Sequence, residues 1–160
     1  MSLLDIAAVI TALGVPIMAG ALISDRMNAK VSRQTQLFMD LYNRWDDKEF
    51  QKKWMEVIYE WSWKDWDEFQ MKYGIGNLDA YASSFSVSAY FEGIGVLVKR
   101  KLIDLDLVDD LMSTTIKWFW EKTEPIVLEG RRQMNRPQLL EWSEYLYKEL
   151  KKREEKEKAT

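Results

Sequence analysis

Glu92 is the residue with the clearest potential for chemistry. It is the only charged side chain between Asp79 and Lys99, inside the apolar run FSVSAYFEGIGVLV. A carboxylate in such a stretch must be hydrogen-bonded, ion-paired or protonated, because an isolated buried charge is very costly. Arg131, Arg132 and Arg100 are candidate partners, and a buried ion pair of Glu92 with Arg131 and Arg132 is the expectation. Paired, Glu92 pins helix register; beside a pocket, it becomes a ligand-binding or proton-handling group. Gly93 and Gly95 flank the same region. Each costs roughly 1 kcal/mol of helix propensity, which points to close approach of a neighbouring helix.

Little else on the chain could react. There is no His and no Cys, which removes the usual neutral-pH base, the thiolate nucleophile, disulfides and the commonest transition-metal ligands. Ser83, Ser84, Ser86 and Ser88 therefore lack a histidine base and read as small packing residues. No calcium-loop pattern is present. Gly74 and Gly76 make no nucleotide fingerprint, since neither a preceding strand nor a third glycine accompanies them. An enzyme would need an all-carboxylate or lysine-based site, and none is visible. The expectation is a non-enzymatic chain with no cofactor, no metal and no catalytic residue.

A net charge of −3 argues against a nucleic-acid partner, which would select a basic stripe. The locally basic stretch after Glu129 interleaves Arg and Lys with Glu and reads as a self-paired, solvated face. Tryptophan is abundant, with 8 residues, five of them between Trp45 and Trp66. Most suit aromatic core packing. Trp63, Trp66 and Phe69, in an irregular acidic stretch, are the expected partner-contact patch. Trp118 and Trp120 cannot share one helix face.

These residues must be positioned by helices. With 7 Gly and 3 Pro in 160 residues, the chain is poor in the turns that an all-β fold requires. Residues 6–23 read IAAVITALGVPIMAGALI, without a charge. As a helix, these eighteen residues span about 27 Å, close to the hydrocarbon thickness of a bilayer. Arg26, Lys30 and Arg33 follow the segment and only Asp5 precedes it, so the positive-inside tendency places the C-terminal side in the cytoplasm and the N-terminus outside. The alternatives are a cleaved signal peptide, disfavoured by the lack of a basic N-terminal region, and a buried soluble helix. Ala8, Ala12, Pro16, Gly20 and Ser24 recur every four residues and form a narrow ridge, a face on which another membrane helix could pack closely.

After this segment, Val31, Phe38, Leu41, Tyr42 and Trp45 keep helical spacing. Asp46 and Glu49 form a capping-box pattern ahead of Phe50, Trp54, Val57, Ile58 and Trp61. Ser62 is the expected cap of a short helix ending at Gly74. Asn77 or Asp79 starts a long central helix to about Lys101, and Asp104 or Asp106 starts the next. Pro125 and Pro137 each mark a first helical turn.

From Tyr90 the chain reads YFEGIGVLVKRKLIDLDLVDDLMSTTIKWFWEKTEPIVLEGRRQMNRPQLLEWSEYL. With the N-terminal segment and LYNRWDDKEF, this resembles an uncharacterised prokaryotic family of short proteins. The resemblance implies an N-terminal membrane helix and a small helical cytoplasmic domain, and carries no catalytic residues over.

The expected fold is all-α: a single N-terminal transmembrane helix, then an antiparallel bundle of about four to five helices. Residues 1–25 are the anchor, 26–150 the cytoplasmic bundle and 151–160 a charged, flexible tail. The expected function is a non-catalytic accessory or structural subunit in the cell membrane, bound to another membrane protein or a larger complex. The alternative is a membrane-tethered ligand-binding or regulatory module built around Glu92.

Overall fold

The computed structural model describes residues 3–159, with side chains from Ser24 to Ala159. The described residues are helical, without strands. The helices are α1 Leu3–Trp45, α2 Lys48–Met55, α3 Trp66–Tyr73, α4 Leu78–Lys99, α5 Leu105–Gln133 and α6 Glu141–Lys158, and a π-helical turn, Glu56–Glu60, follows α2. Among the described residues, no helix is long and apolar enough to cross a membrane. The segment 6–23, expected to do so, lies outside the residues with described side chains. So do Ala8, Ala12, Pro16 and Gly20 of the small-residue ridge, whereas Ser24 is exposed.

The chain divides into two compact units, one as far as Leu37 and one from Phe38 onward. Side chains from Ser24 to Gln36 are exposed except for half-buried Gln34, and burial begins at Phe38. In the second unit α4 packs against α2, α3 and α6, and α5 packs against α3, α6 and the π turn. Tyr90 ties the end of α1 to this core. Its hydroxyl donates to the Leu41 carbonyl at 2.9 Å, and burial pushes its pKa up. Around it Trp45, Phe50 and Phe91 meet at ring separations of 4.7–6.4 Å, distances at which aromatic pairs attract beyond their buried area. Trp120 is buried while Trp118 is exposed, as their spacing on one helix requires.

Several helix starts differ from the expected ones, for local reasons. Asp47 caps α2, accepting from the Phe50 N–H at 2.8 Å. Asp46 cannot cap, because its own N–H still donates to Tyr42 and continues α1. Asp65, not Ser62, caps α3, while Ser62 is held by its N–H to the Tyr73 hydroxyl. Asn77 caps α4 and Asp104 caps α5. Pro125 lies inside α5 instead of opening a helix. Proline leaves one helical carbonyl without its donor, and burial of Ile126, Val127 and Gly130 just beyond it carries the helix through. Pro137 lies in the turn before α6. The stretch 151–160, expected as a charged tail, is helical over most of its described length, since α6 continues to Lys158. Ion pairs of Glu154 with Lys117 at 2.9 Å, and of Arg153 with Asp106, tie its last turns to α5.

Helix α4 ends in a Schellman motif. The Lys101 N–H donates to Val98 and the Leu102 N–H to Leu97, with Lys101 at φ 56°. The left-handed conformation costs a side-chain-bearing residue roughly 1 kcal/mol and costs glycine nothing. Lys101→Gly is therefore expected to stabilise the domain by about 0.5–1 kcal/mol, read as a raised urea midpoint at unchanged slope.

Candidate functional site

The site is built where α3, α4, α5 and the connection between α5 and α6 meet. Asn135 and Leu140 bound that connection, both with positive φ, at 51° and 53°. Asn135 closes a second Schellman motif: its N–H donates to Arg132, and the Arg136 N–H donates to Arg131. Leucine is an unfavourable residue for this conformation, so its neighbours must hold it there. Two side chains do. Arg131 donates through Nε to the Leu139 carbonyl at 2.8 Å and through Nη1 to Glu144 at 2.7 Å. Glu92 grips the start of α6. Its carboxylate accepts from the Ser143 N–H at 2.8 Å, the Ser143 hydroxyl at 3.0 Å and the Trp142 N–H at 3.3 Å.

Glu92 thus does the work of an N-cap from a different helix. Leu140, at the capping position of α6, has no acceptor side chain to offer. The first turn of a helix leaves N–H groups without partners and carries a partial positive charge, and the Glu92 carboxylate meets both. The expected pair of Glu92 with Arg131 and Arg132 does not form: Arg131 is bonded to Glu144, and Arg132 pairs with Glu129 in its own helix. Backbone donors satisfy the carboxylate instead of a guanidinium.

Gly95 explains how α6 comes near enough. A Cβ there would lie 2.6 Å from the Trp142 carbonyl carbon, so the two backbones are in contact. The close approach read from the glycine pair is real at Gly95 and absent at Gly93, where nothing lies within 4 Å.

Between these elements lies a cavity of about 790 Å³. Such a volume falls within the range of small-molecule sites. Trp63, Trp66 and Phe69 form one wall. They are half-buried and packed on each other, with Trp63 edge-on to Phe69 at 5.2 Å and Trp66 stacked on it at 6.1 Å. Trp66 also rests against Gly130, where a Cβ would meet its ring at 2.8 Å. Val57 and Trp61 reach the cavity from the π turn, whose wide geometry appears in the Trp61 N–H donating to Glu56, five residues back. Ser84, Ser88 and Glu92 line the α4 side, Phe119, Thr123, Ile126 and Val127 the floor, and Met134, Arg136 and Leu140 the rim. Thr123 brings little free polarity, since its hydroxyl donates to Phe119 at 2.7 Å.

A pocket at Glu92 was the alternative expectation; the cavity does reach Glu92, but Arg131 and Arg132 do not line it. Its aromatic wall, Trp63, Trp66 and Phe69, was expected as a partner-contact patch and not as part of a pocket. Among the described residues, no cluster of three or more acidic side chains could hold a metal ion.

No curated protein and no solved structure matches this chain. Residues 2–150 match the family model described as a domain of unknown function, DUF4760. The match covers nearly the whole helical domain, and the chain belongs to the DUF4760 family.

Proposed function

We propose that this chain is a membrane-tethered, non-catalytic module that binds an apolar small molecule between α3, α4 and α5. The observation that carries this reading is the cavity of about 790 Å³ walled by Trp61, Trp63, Trp66, Phe69 and Phe119. The cavity is open to solvent on the side of Ile75, Tyr81 and Phe85, which line it and are exposed. A space of this size bounded by rigid aromatic side chains is suited to a ligand, and it adjoins a carboxylate already satisfied by backbone donors. The tether is the segment 6–23, with the helical bundle on the cytoplasmic side, supported by its uncharged length and by Arg26, Lys30 and Arg33 after it.

A neutral apolar fluorophore, N-phenyl-1-naphthylamine, tests the binding reading. Full-length protein in phosphatidylcholine nanodiscs is expected to bind it saturably above the empty-disc baseline, with energy transfer from tryptophan. Ser88→Phe, which projects a ring into the cavity from α4, should weaken the saturable part. Equal signals from wild type and variant would refute the site. For the tether, the protein should stay in the membrane fraction after alkaline carbonate washing, and a C-terminal tag should resist protease added outside intact cells.

A second reading, an accessory subunit of a membrane complex, is favoured by exposed apolar side chains, of which Ile75, Tyr81 and Phe85 also line the cavity. Leu78, Tyr81 and Phe85 form an exposed apolar stripe on α4, and Met71 and Ile75 are exposed nearby, both at 74 %. Exposed apolar side chains of this kind suit contact with another protein. Purification in mild detergent that returns a stoichiometric membrane partner would support it; a lone monomer would oppose it.

A further inference from the structure

We infer that the ligand of this cavity is a single-chain anionic amphiphile, its tail among the aromatic walls and its head at Arg136; this rests on the binding reading above. Two side chains with full charges line the cavity, Glu92 and Arg136. They are not equivalent. Both Glu92 oxygens are engaged at the start of α6, where the partial positive charge of the helix offsets the carboxylate. Its lone pairs are committed, so it offers little to a cationic ligand.

Arg136 is the reverse case. It is exposed, and its guanidinium has no hydrogen bond or ion pair among the described residues. Its backbone is fixed, because its N–H closes the Schellman motif at the end of α5. The uncompensated charge of the site is therefore positive and lies at the rim. Asn135 and Gln138 flank it on the same turn and add amide donors. A guanidinium is suited to carboxylate and phosphate, which it can bind through two parallel hydrogen bonds. The remaining lining is chiefly aromatic and aliphatic, which suits an alkyl chain and not a compact polar metabolite.

The test compares probes of equal chain length with different heads. Full-length protein in phosphatidylcholine nanodiscs is dialysed against labelled dodecanoate, dodecyl phosphate, dodecanol or dodecylamine, each corrected for empty discs. At least one anionic probe is expected to bind about tenfold tighter than dodecanol, the ratio that one charge-assisted hydrogen bond of about 1.4 kcal/mol gives. The tighter of the two distinguishes a carboxylate head from a phosphate head. Arg136→Gln should bring that probe to the level of dodecanol. Each methylene added to the chain should tighten binding about fourfold until the cavity is filled, the ratio from about 0.8 kcal/mol per buried methylene. Equal binding of all heads, or an anion preference that survives Arg136→Gln, would overturn the charge assignment and leave the cavity reading standing. Tightest binding of dodecylamine would overturn it in favour of Glu92. Loss of saturable binding of every probe, neutral ones included, would overturn the cavity reading itself. Arg136 is exposed, so its variant is expected to keep the wild-type melting curve; Arg136→Lys, which keeps the charge, should retain part of the preference.

Discussion

Gly95→Ala will destabilise the domain by about 3 kcal/mol or more, whereas Gly93→Ala, two residues earlier in the same helix, will stabilise it by about 1 kcal/mol. The opposite signs come from one geometric fact. A methyl group at Gly95 would enter the Trp142 main chain, 2.6 Å from the carbonyl carbon and 2.9 Å from Cβ. No rotamer change relieves a clash with backbone, so α4 and α6 must separate. That separation also draws the first turn of α6 away from Glu92, adding lost hydrogen bonds to the steric cost. At Gly93 the added methyl meets nothing within 4 Å, and only the gain in helix propensity remains. Urea unfolding of the two variants, followed by circular dichroism, checks both signs. A neutral Gly95→Ala would mean that the helices do not touch there.

Glu92→Ala is expected to cost about 2–4 kcal/mol. Removing a helix cap costs about 1–2 kcal/mol, and hydrogen bonds to charged groups contribute about 1.5–3 kcal/mol each, with incomplete additivity. Ser143 is 1 % exposed, so its N–H and hydroxyl would lose this acceptor where water has little access. Glu92→Gln keeps one acceptor oxygen and loses the charge that faces the helix terminus, so about half that cost is expected. The variants also separate roles. If Glu92 acts as a cap, hydrogen exchange should accelerate first at Trp142 and Ser143. If it were chiefly a ligand group, Glu92→Gln would change binding with little change in the unfolding midpoint.

How far the sequence spoke for itself differs from residue to residue. The stripe Phe50, Trp54, Val57, Ile58 and Trp61 was readable from spacing alone; Ile58 is half-buried and the other four are buried. Periodicity reports which face is buried but is blind to the π turn Glu56–Glu60, because one wide turn rephases only the last residues. Capping is local chemistry, so the sequence narrowed the caps to Asn77 or Asp79 and to Asp104 or Asp106, and the structure selects Asn77 and Asp104. Asp46 and Asp47 are adjacent and chemically identical, so only the end of α1 decides between them. At Pro125 the local signal for a new first turn was outweighed by burial farther along α5. Ser62 was misleading because Tyr73, eleven residues away, takes its N–H.

For the site, the sequence by itself determined that Glu92 must be satisfied, that a glycine beside it marks a close approach, and that no histidine or cysteine chemistry takes place. It also determined an all-helical chain, since turn residues are few and apolar spacing is helical. Only the tertiary structure decided what satisfies Glu92. Its partners are backbone N–H groups, which every non-proline residue carries, so no side-chain pattern announces them. The sequence pointed to Arg131 and Arg132 because guanidinium groups are visible in it and free helix ends are not. The cavity likewise belongs to no segment. It is the space left where Trp63 and Trp66, Glu92, Ile126 and Arg136 converge, and a void between elements exists only once those elements are packed.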